Sequence, residues 1–388
     1  MKVTMNRMEA LSIAKAAESI APSKATMDEL RCVLLECGGD GKLTMAATNN
    51  EVALEWRMPA QIQEAGTLLI NAKLFVNMLG ALGGETVTIQ GEDGRLAEIT
   101  SGACCYTIPI LSVSNYPRAE TPFPEDTVTV KNIPHMAART IFAASENESQ
   151  PTMRCVKLVF TSDGLKAVSY DGSRLAAAKG DSKGEASASL LIPAASLNKL
   201  ARLVGNKDEL NVGTTGKSVV FTKEDFLFSA RLLSGEHVDD DLLLGSVRSA
   251  FTVLTDAAAI YDAVSSVSVV ADECSALSLH FADNRIRVRC EGANCSSARD
   301  LGVVALSGSP EGEYWYNPQQ LSQCLSALGG TLMLEVGQNG VLVMRTDDLV
   351  CLQLSRRKPA LLRAREERQK KAVKAAAYPN HLILRRVQ

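Results

Sequence analysis

Aromatic residues make up only 5% of this 388-residue chain, which has four histidines and two tryptophans. His135, His237, His280 and His381 are too scattered along the chain to suggest a zinc site or a general-base pair. There is no P-loop, no dinucleotide-binding glycine fingerprint and no His-Glu-x-x-His. A catalytic role is therefore not supported, and no cofactor is expected. Asp239, Asp240 and Asp241 could attract a cation, but nothing pairs with them, and a solvated turn is the expectation. No apolar run approaches the roughly 18 residues of a membrane span. The start, with Lys2 and Arg7 and no long apolar stretch, does not look like a signal peptide. A cytoplasmic protein without membrane contact is expected. Ten cysteines are present without a Cys-x-x-Cys, and Cys32/Cys37 and Cys290/Cys295 lack nearby histidines. Reduced, structural thiols and no metal follow from that spacing.

What the chain does have is charge asymmetry and repetition. The net charge is −3, yet from Arg356 onward eleven Lys/Arg face only Glu366 and Glu367. The body is acidic and the end basic. Three readings of that end stand side by side: a solvated extension, a nucleic-acid contact, or a segment folding over a neighbouring cleft.

Three stretches align when anchored on Ile70, Ile192 and Tyr316, 122 and 124 residues apart. From each anchor the same spacing gives Phe75/Met78/Leu79/Leu82, Leu197/Leu200/Ala201/Val204 and Leu321/Cys324/Leu325/Leu328. Such i, i+3, i+4, i+7 sets make one apolar helix face. Gly83, Gly205 and Gly329 follow at the next position, where a left-handed residue would close each helix. Leu43, Leu165 and Ile286 mark a repeated strand–turn–strand, and late hairpins recur in step. Amphipathic helices are expected at Arg7–Ile20, Ile133–Ala144 and Asp256–Val267. The chain thus divides into three α+β modules of two helices and roughly eight strands, at 1–123, 124–248 and 249–358, with a basic extension at 359–388.

At this level of detail the chain resembles the bacterial DNA polymerase III β subunits, the sliding clamps, over residues 1 to about 358. The most specific piece is Tyr170-Asp-Gly-Ser-Arg-Leu; Met1-Lys-Val-Thr, Ile70-Asn-Ala-Lys-Leu-Phe and Asn115-Tyr-Pro support it. The resemblance implies a head-to-tail dimeric ring of six clamp domains, each with two helices packed on antiparallel sheets. Helices would line a hole for duplex DNA, held without sequence reading. Replicative polymerase and clamp loader would dock by short peptides in a cleft between the second and third domains.

The basic candidates for the DNA-facing helices are Arg7, Lys15, Lys24, Lys73, Arg139, Lys199 and Arg202; Lys24 and Lys73 match family contacts. Ala194 and Ala195 stand where the family has basic residues, and the third module offers almost no positive charge on its helices. The cleft would be lined by Cys155, Tyr170, Gly172, Ser173, Arg174, Leu175, Val238, Leu243, Val350 and Leu352. His237 and Val238 replace a family Phe-Pro, and Leu352-Gln-Leu-Ser-Arg replaces a Met-Pro-Met-Arg-Leu finish, so ordinary clamp peptides are expected to bind poorly. Tyr106 and Ile108 on one edge, and Val269 and Val270 on the other, would form the dimer seam. Ala103 and Cys105, and the Gly292–Ser297 stretch, have lost the charges the family carries there. A clamp-fold interaction protein that does not encircle DNA, accessory or inhibitory, is the alternative reading.

Overall fold

The computed structural model describes residues 1–118, 124, 126–162, 164–184, 188–271, 276–291, 295–358, 363 and 368. Residues 119–123 at the expected first boundary, 292–294 within the Gly292–Ser297 stretch, and the basic extension other than 363 and 368 lie outside the described residues. Two compact units result, one of Met1–Gly172 with Ala177–Val238, the other of Ser173–Ala176 with the chain from Asp239.

The first module opens with β1 (Lys2–Asn6) and α1 (Arg7–Ile20). Then come β2 (Cys32–Cys37), β3 (Lys42–Thr48), β4 (Val52–Pro59), β5 (Gln61–Glu64) and β6 (Gly66–Asn71). Helix α2 (Ala72–Ala81) leads to β7 (Thr86–Gly91), β8 (Leu96–Ser101) and β9 (Cys104–Pro109).

The second module repeats this order with β10 (Val128–Lys131), α3 (Ile133–Thr140), β11 (Cys155–Thr161), β12 (Gly164–Tyr170) and β13 (Arg174–Gly180). It continues through β14 (Ser182–Lys183), β15 (Ala188–Pro193), α4 (Ala194–Leu203), β16 (Glu209–Thr215), β17 (Ser218–Lys223) and β18 (Phe226–Arg231). A short helix, α5 (Asp240–Gly245), precedes the third module.

There β19 (Ser249–Asp256), α6 (Ala257–Ser268), β20 (Ala276–Ala282), β21 (Arg285–Glu291) and β22 (Ser296–Gly302) come first. Next are β23 (Val304–Ser307), β24 (Gly312–Tyr316), α7 (Pro318–Ser326), β25 (Thr331–Gly337), β26 (Leu342–Arg345) and β27 (Leu349–Gln353).

The sheets repeat with the sequence. Strand order β5-β1-β7-β8-β9 in the first module recurs as β14-β10-β16-β17-β18 and as β23-β19-β25-β26-β27. The order β4-β3-β2-β6 recurs as β13-β12-β11-β15 and as β22-β21-β20-β24. In the first unit two of these blocks fuse into a nine-stranded sheet, because β18 pairs antiparallel with β4, from Phe226 opposite Trp56 to Ala230 opposite Val52. The Trp56 and Phe226 rings meet edge to face at 5.1 Å, and Lys42 reaches Asp225 at 2.5 Å.

Each helix pair packs side by side, α1 on α2, α3 on α4 and α6 on α7. In α1 the buried face is largely alanine (Ala10, Ala14, Ala16 and Ala17, with Ile13 and Ile20), which lets the helix lie close on β2–β4. Side-chain caps start several helices: Asn71 accepts from Leu74 N at 3.1 Å, Asn317 from Gln319 N at 3.0 Å and Asp256 from Ala259 N at 2.9 Å. The middle repeat has Pro193 at that position and no side-chain cap.

Three expectations need correction. The glycines do not close the second helices. Leu82 and Val204 end them in extended conformation, their N–H groups returning to Met78 O and Leu200 O, while Leu82 is buried in the core. Only in the third repeat does a glycine there go left-handed, and it is Gly330, at φ 67°. An apolar contact turns the chain where a left-handed residue was expected. Nor is Asp239–Asp241 a solvated turn. Asp239 caps α5, accepting from Leu242 N at 3.0 Å, and Asp240 is buried. Acids before a leucine run are an N-terminal helix signal. The expected helix Ile133–Ala144 is α helix only to Thr140 and a 3-10 turn over Ile141–Ala143.

Candidate functional site

The seven cations proposed for the DNA-facing helices fall into two groups. Arg7 is half-buried, and its guanidinium donates to Gly84 O at 2.6 Å and to Leu79 O at 2.9 Å. It thereby satisfies carbonyls at the C-terminal end of α2, where a cation also suits the helix dipole. Lys199 does the same for α1: its Nζ donates to Ile20 O at 3.4 Å, burial lowers its pKa, and Glu51 partly opposes that. Arg139 sits half-buried in the last turn of α3.

Lys15, Lys24, Lys73 and Arg202 are exposed. Lys73 lies in the first turn of α2, where a positive charge opposes the helix dipole by about 0.3–1 kcal/mol. Its presence there is not explained by helix stability. The third pair, α6 and α7, contains no Lys or Arg. Beside it a groove of about 690 Å³ is lined by Ser265, Ser268, Gln319, Ser322, Gln323 and Arg356.

The proposed docking residues are distributed over both units. In the first, Cys155 is fully buried, its thiol donates to Pro151 O at 3.5 Å, and burial pushes its pKa up to about 11. Tyr170 is half-buried and its hydroxyl donates to Gly172 O at 3.1 Å; burial, then Asp171, raises its pKa. Val238 presents its carbonyl to Lys157 Nζ at 2.8 Å. A pocket of about 470 Å³ lies alongside, lined by Lys157, Leu191, Lys217, Leu233 and His237.

In the second unit Arg174 is only 8% exposed and donates to Gln323 Oε1 on α7. Ser173 accepts from Gln320 Nε2 at 2.9 Å through its hydroxyl and from Leu354 N at 2.8 Å through its carbonyl. The buried Gln353 joins the same cluster, donating to Gln320 Oε1 at 3.3 Å. Leu175 and Leu352 are buried, whereas Leu243 and Val350 are half-exposed. The three glutamines were not among the expected residues. Gln320 and Gln323, one turn apart on a helix with an apolar face, were the available signal.

The seam candidates occupy sheet edges or lie beside them. β9, which carries Tyr106 and Ile108, is the edge of its sheet and pairs with β8. β22 is likewise an edge, paired with β21. Val269, 83% exposed, and Val270 follow the end of α6. The exposed thiols among the described residues are Cys104 and Cys105 on β9 and Cys295 just before β22.

With this architecture in hand, comparison with known proteins is specific. Residues 1–120 match the family model "DNA polymerase III beta subunit, N-terminal domain" and residues 127–239 its central domain. A beta sliding clamp of Streptomyces coelicolor is 26% identical over 339 residues, 84% of this chain and 89% of the relative. One from Micrococcus luteus is 24% identical over 295 residues, 74% of this chain and 94% of the relative. The crystal structure of a DNA polymerase sliding clamp from Bacillus subtilis superimposes with a TM-score of 0.85 at 20% identity, covering 92% of this chain and 99% of that one. The molecule is a clamp-fold protein of three tandem modules. It belongs to the DNA polymerase III β-subunit family, as a divergent member.

Proposed function

We propose that this chain is a DNA sliding clamp: two copies close a ring around duplex DNA in the cytoplasm and tether a replicative polymerase without doing chemistry themselves. The observation that carries the reading is the threefold module with its helix pairs and sheets in one repeated topology, in a chain that belongs to the clamp family. Lys24, Lys73, Lys15 and Arg202 are the cations available for phosphate; Arg7 and Lys199 act first on helix ends. Their contacts are to backbone charge, so the ring holds DNA without reading sequence. Polymerase and clamp-loader peptides are bound by the docking residues of each unit, Tyr170 and Val238 in the first and Arg174, Leu243 and Val350 in the second. Arg174 and the glutamines set the polar anchor; Leu175 and Leu352 supply apolar backing.

Topological binding has a distinctive test. Loaded on nicked circular DNA, the protein stays bound through a salt wash and is released when the circle is linearised. Release from the circle by salt alone overturns the encircling reading. Replacing Lys24 and Lys73 together by Ala reduces the slope of log K against log salt for loader-free DNA binding by about 1.8. An unchanged slope removes those two residues from the interface.

A further inference from the structure

The three modules end alike. After the last strand of each, the chain returns to the strand that precedes the second helix: Leu111 bridges Leu69, Leu233 bridges Leu191 and Arg356 bridges Trp315. The first two returns can be followed onward, whereas the third is described only as far as Lys358. We infer that the third return continues as the first two do and seats Leu361 on the outer face of the β22-β21-β20-β24 sheet, over Ala276, Ser278 and Trp315. The root of the C-terminal extension is thereby anchored on its own module. This seat lies within one chain and does not depend on the two-copy ring.

Register defines the seat. Val33 faces Ile70, Val156 faces Ile192 and Leu277 faces Tyr316, so Leu34, Lys157 and Ser278 are counterparts, paired with Leu69, Leu191 and Trp315. Side chains alternate along a strand, and in the first module the two faces have separate cores. Val33 and Leu35 belong to the large core that includes α1, whereas Cys32, Leu34, Leu69 and Tyr116 form a cluster of their own, with Ala46 and Val113 packed against it. Tyr116, five residues past Leu111, covers this outer face and donates its hydroxyl to Ala46 O at 3.5 Å. In the second module Val238, five residues past Leu233, has its carbonyl on Lys157 Nζ at 2.8 Å. In both, the residue five past the bridge meets the same strand position. In the third module that residue is Leu361.

The described part of the third return already follows the first. Arg356 N donates to Trp315 O at 2.6 Å, as Leu111 N donates to Leu69 O at 3.3 Å. Two residues past the bridge, Lys358 lies over the Trp315 ring at 5.1 Å and donates to Glu313 at 3.3 Å; its counterpart Val113 packs against the cluster of Leu69. A 3-10 turn at Val113–Asn115 then brings Tyr116 N back to Val113 O at 3.1 Å. Lys358, Pro359 and Ala360 stand at those positions in the third module. Proline has no N–H with which to prolong pairing along β24, and its fixed φ suits the second position of a turn. What covers the face is apolar. Trp315 is 6% exposed and Ser278 0%, and the Ser278 hydroxyl has no partner among the described residues. A buried, unpaired hydroxyl has neither water nor a polar side chain over it, and a leucine meets that condition. Arg363, two residues further on, is exposed. The extension therefore starts on the sheet side of its module and presents its cations there.

Trp315 reports on the seat. The chain has one other tryptophan, Trp56, so Trp56→Phe in the full-length protein leaves Trp315 as the sole indole. In that parent the emission is blue-shifted and acrylamide quenches it weakly. A chain ending at Lys358 and the full-length Leu361→Asp variant both move the emission to the red and raise the quenching, while far-UV circular dichroism keeps its strand signal. A chain ending at Arg365 and full-length Arg363→Asp behave as the parent does. Every variant retains Lys358, so the cation over the ring is common to all. Where Leu361→Asp does not fold, Leu361→Ala gives the same shift to a smaller degree. Equal shielding of Trp315 in the parent and in the chain ending at Lys358 overturns the seat. So does lost shielding in the chain ending at Arg365, which places the cover further along the extension. Shielding that strengthens with protein concentration assigns the face to a second copy and overturns it too.

Discussion

The closed junction between β4 and β18 and the open edges β9 and β22 are built on the same backbone plan with different side chains. At the junction two aromatic rings, a Lys42–Asp225 ion pair and the carboxylate of Glu55 meet across the strands. At the matching positions β9 carries Cys104, Tyr106 and Ile108, while Cys295, Ser297, Ala298 and Arg299 stand on or just before β22. A contact inside the chain forms at very high effective concentration and never waits unpaired in the folded chain, so bulky apolar groups are safe there. An edge that must stay soluble before it finds a partner cannot carry a row of large apolar residues without inviting promiscuous pairing. β9 keeps two large side chains, Tyr106 and Ile108, but β22 is mostly small residues, so backbone hydrogen bonds are a large part of what these edges offer. Few charges also mean that closure depends little on salt.

Proline breaks the two contacts differently, and this is the largest effect expected. Thr107→Pro removes an outward N–H from β9 while leaving its bonds to β8. The chain folds, but the dimer is lost by light scattering and with it retention on circular DNA. The counterpart, Ser229→Pro in β18, strikes a strand hydrogen-bonded on both sides. It lowers folding stability by about 2–3 kcal/mol, read from urea denaturation. Equal loss of stability in both variants would show that β9 is not an edge held only on one side.

Side chains distinguish the two contacts next. Phe226 is buried against Trp56, so Phe226→Ala leaves a cavity and costs about 3 kcal/mol. Its counterpart Cys104 is exposed, and Cys104→Ala changes folding stability by less than about 0.5 kcal/mol. A large effect at Cys104 would mean that β9 is already packed in the single chain.

How much of this was legible beforehand depends on how local each signal is. The second helix of every module could be placed from apolar spacing alone, because residues three and four apart meet on one face whatever the rest of the chain does. The repeat and the family resemblance followed from the same periodic positions. The helix ends did not, since Leu82 ends α2 through a core contact that no neighbouring residue announces. Arg7 and Lys199 looked like surface cations because nothing local shows that Leu79 O, Gly84 O and Ile20 O await them. The Ser173–Gln320–Gln353 cluster joins residues far apart in sequence, and strand register is equally non-local. Only the paired ladders show which residue of β4 faces which of β18.

The smallest effect is electrostatic and also belongs to the closed junction. Glu55 lies opposite Leu227, and burial raises its pKa, with Arg57 and Arg118 opposing and Glu36 reinforcing the rise. A carboxyl whose folded pKa exceeds its unfolded one binds more protons in the native state. Its ionisation therefore costs stability as pH rises through the window just above the usual carboxylate value of 4.5. Glu55→Gln removes that cost. Thermal melting should show the variant gaining on wild type as pH is raised from about 4 to 7, with the gap constant beyond. The open edge has Ala298 at this position and no such group, so Ala298→Gln leaves the pH profile unchanged. A gap that narrows with rising pH would mean that Arg57 and Arg118 hold Glu55 ionised and that the junction contains a net attractive charge cluster.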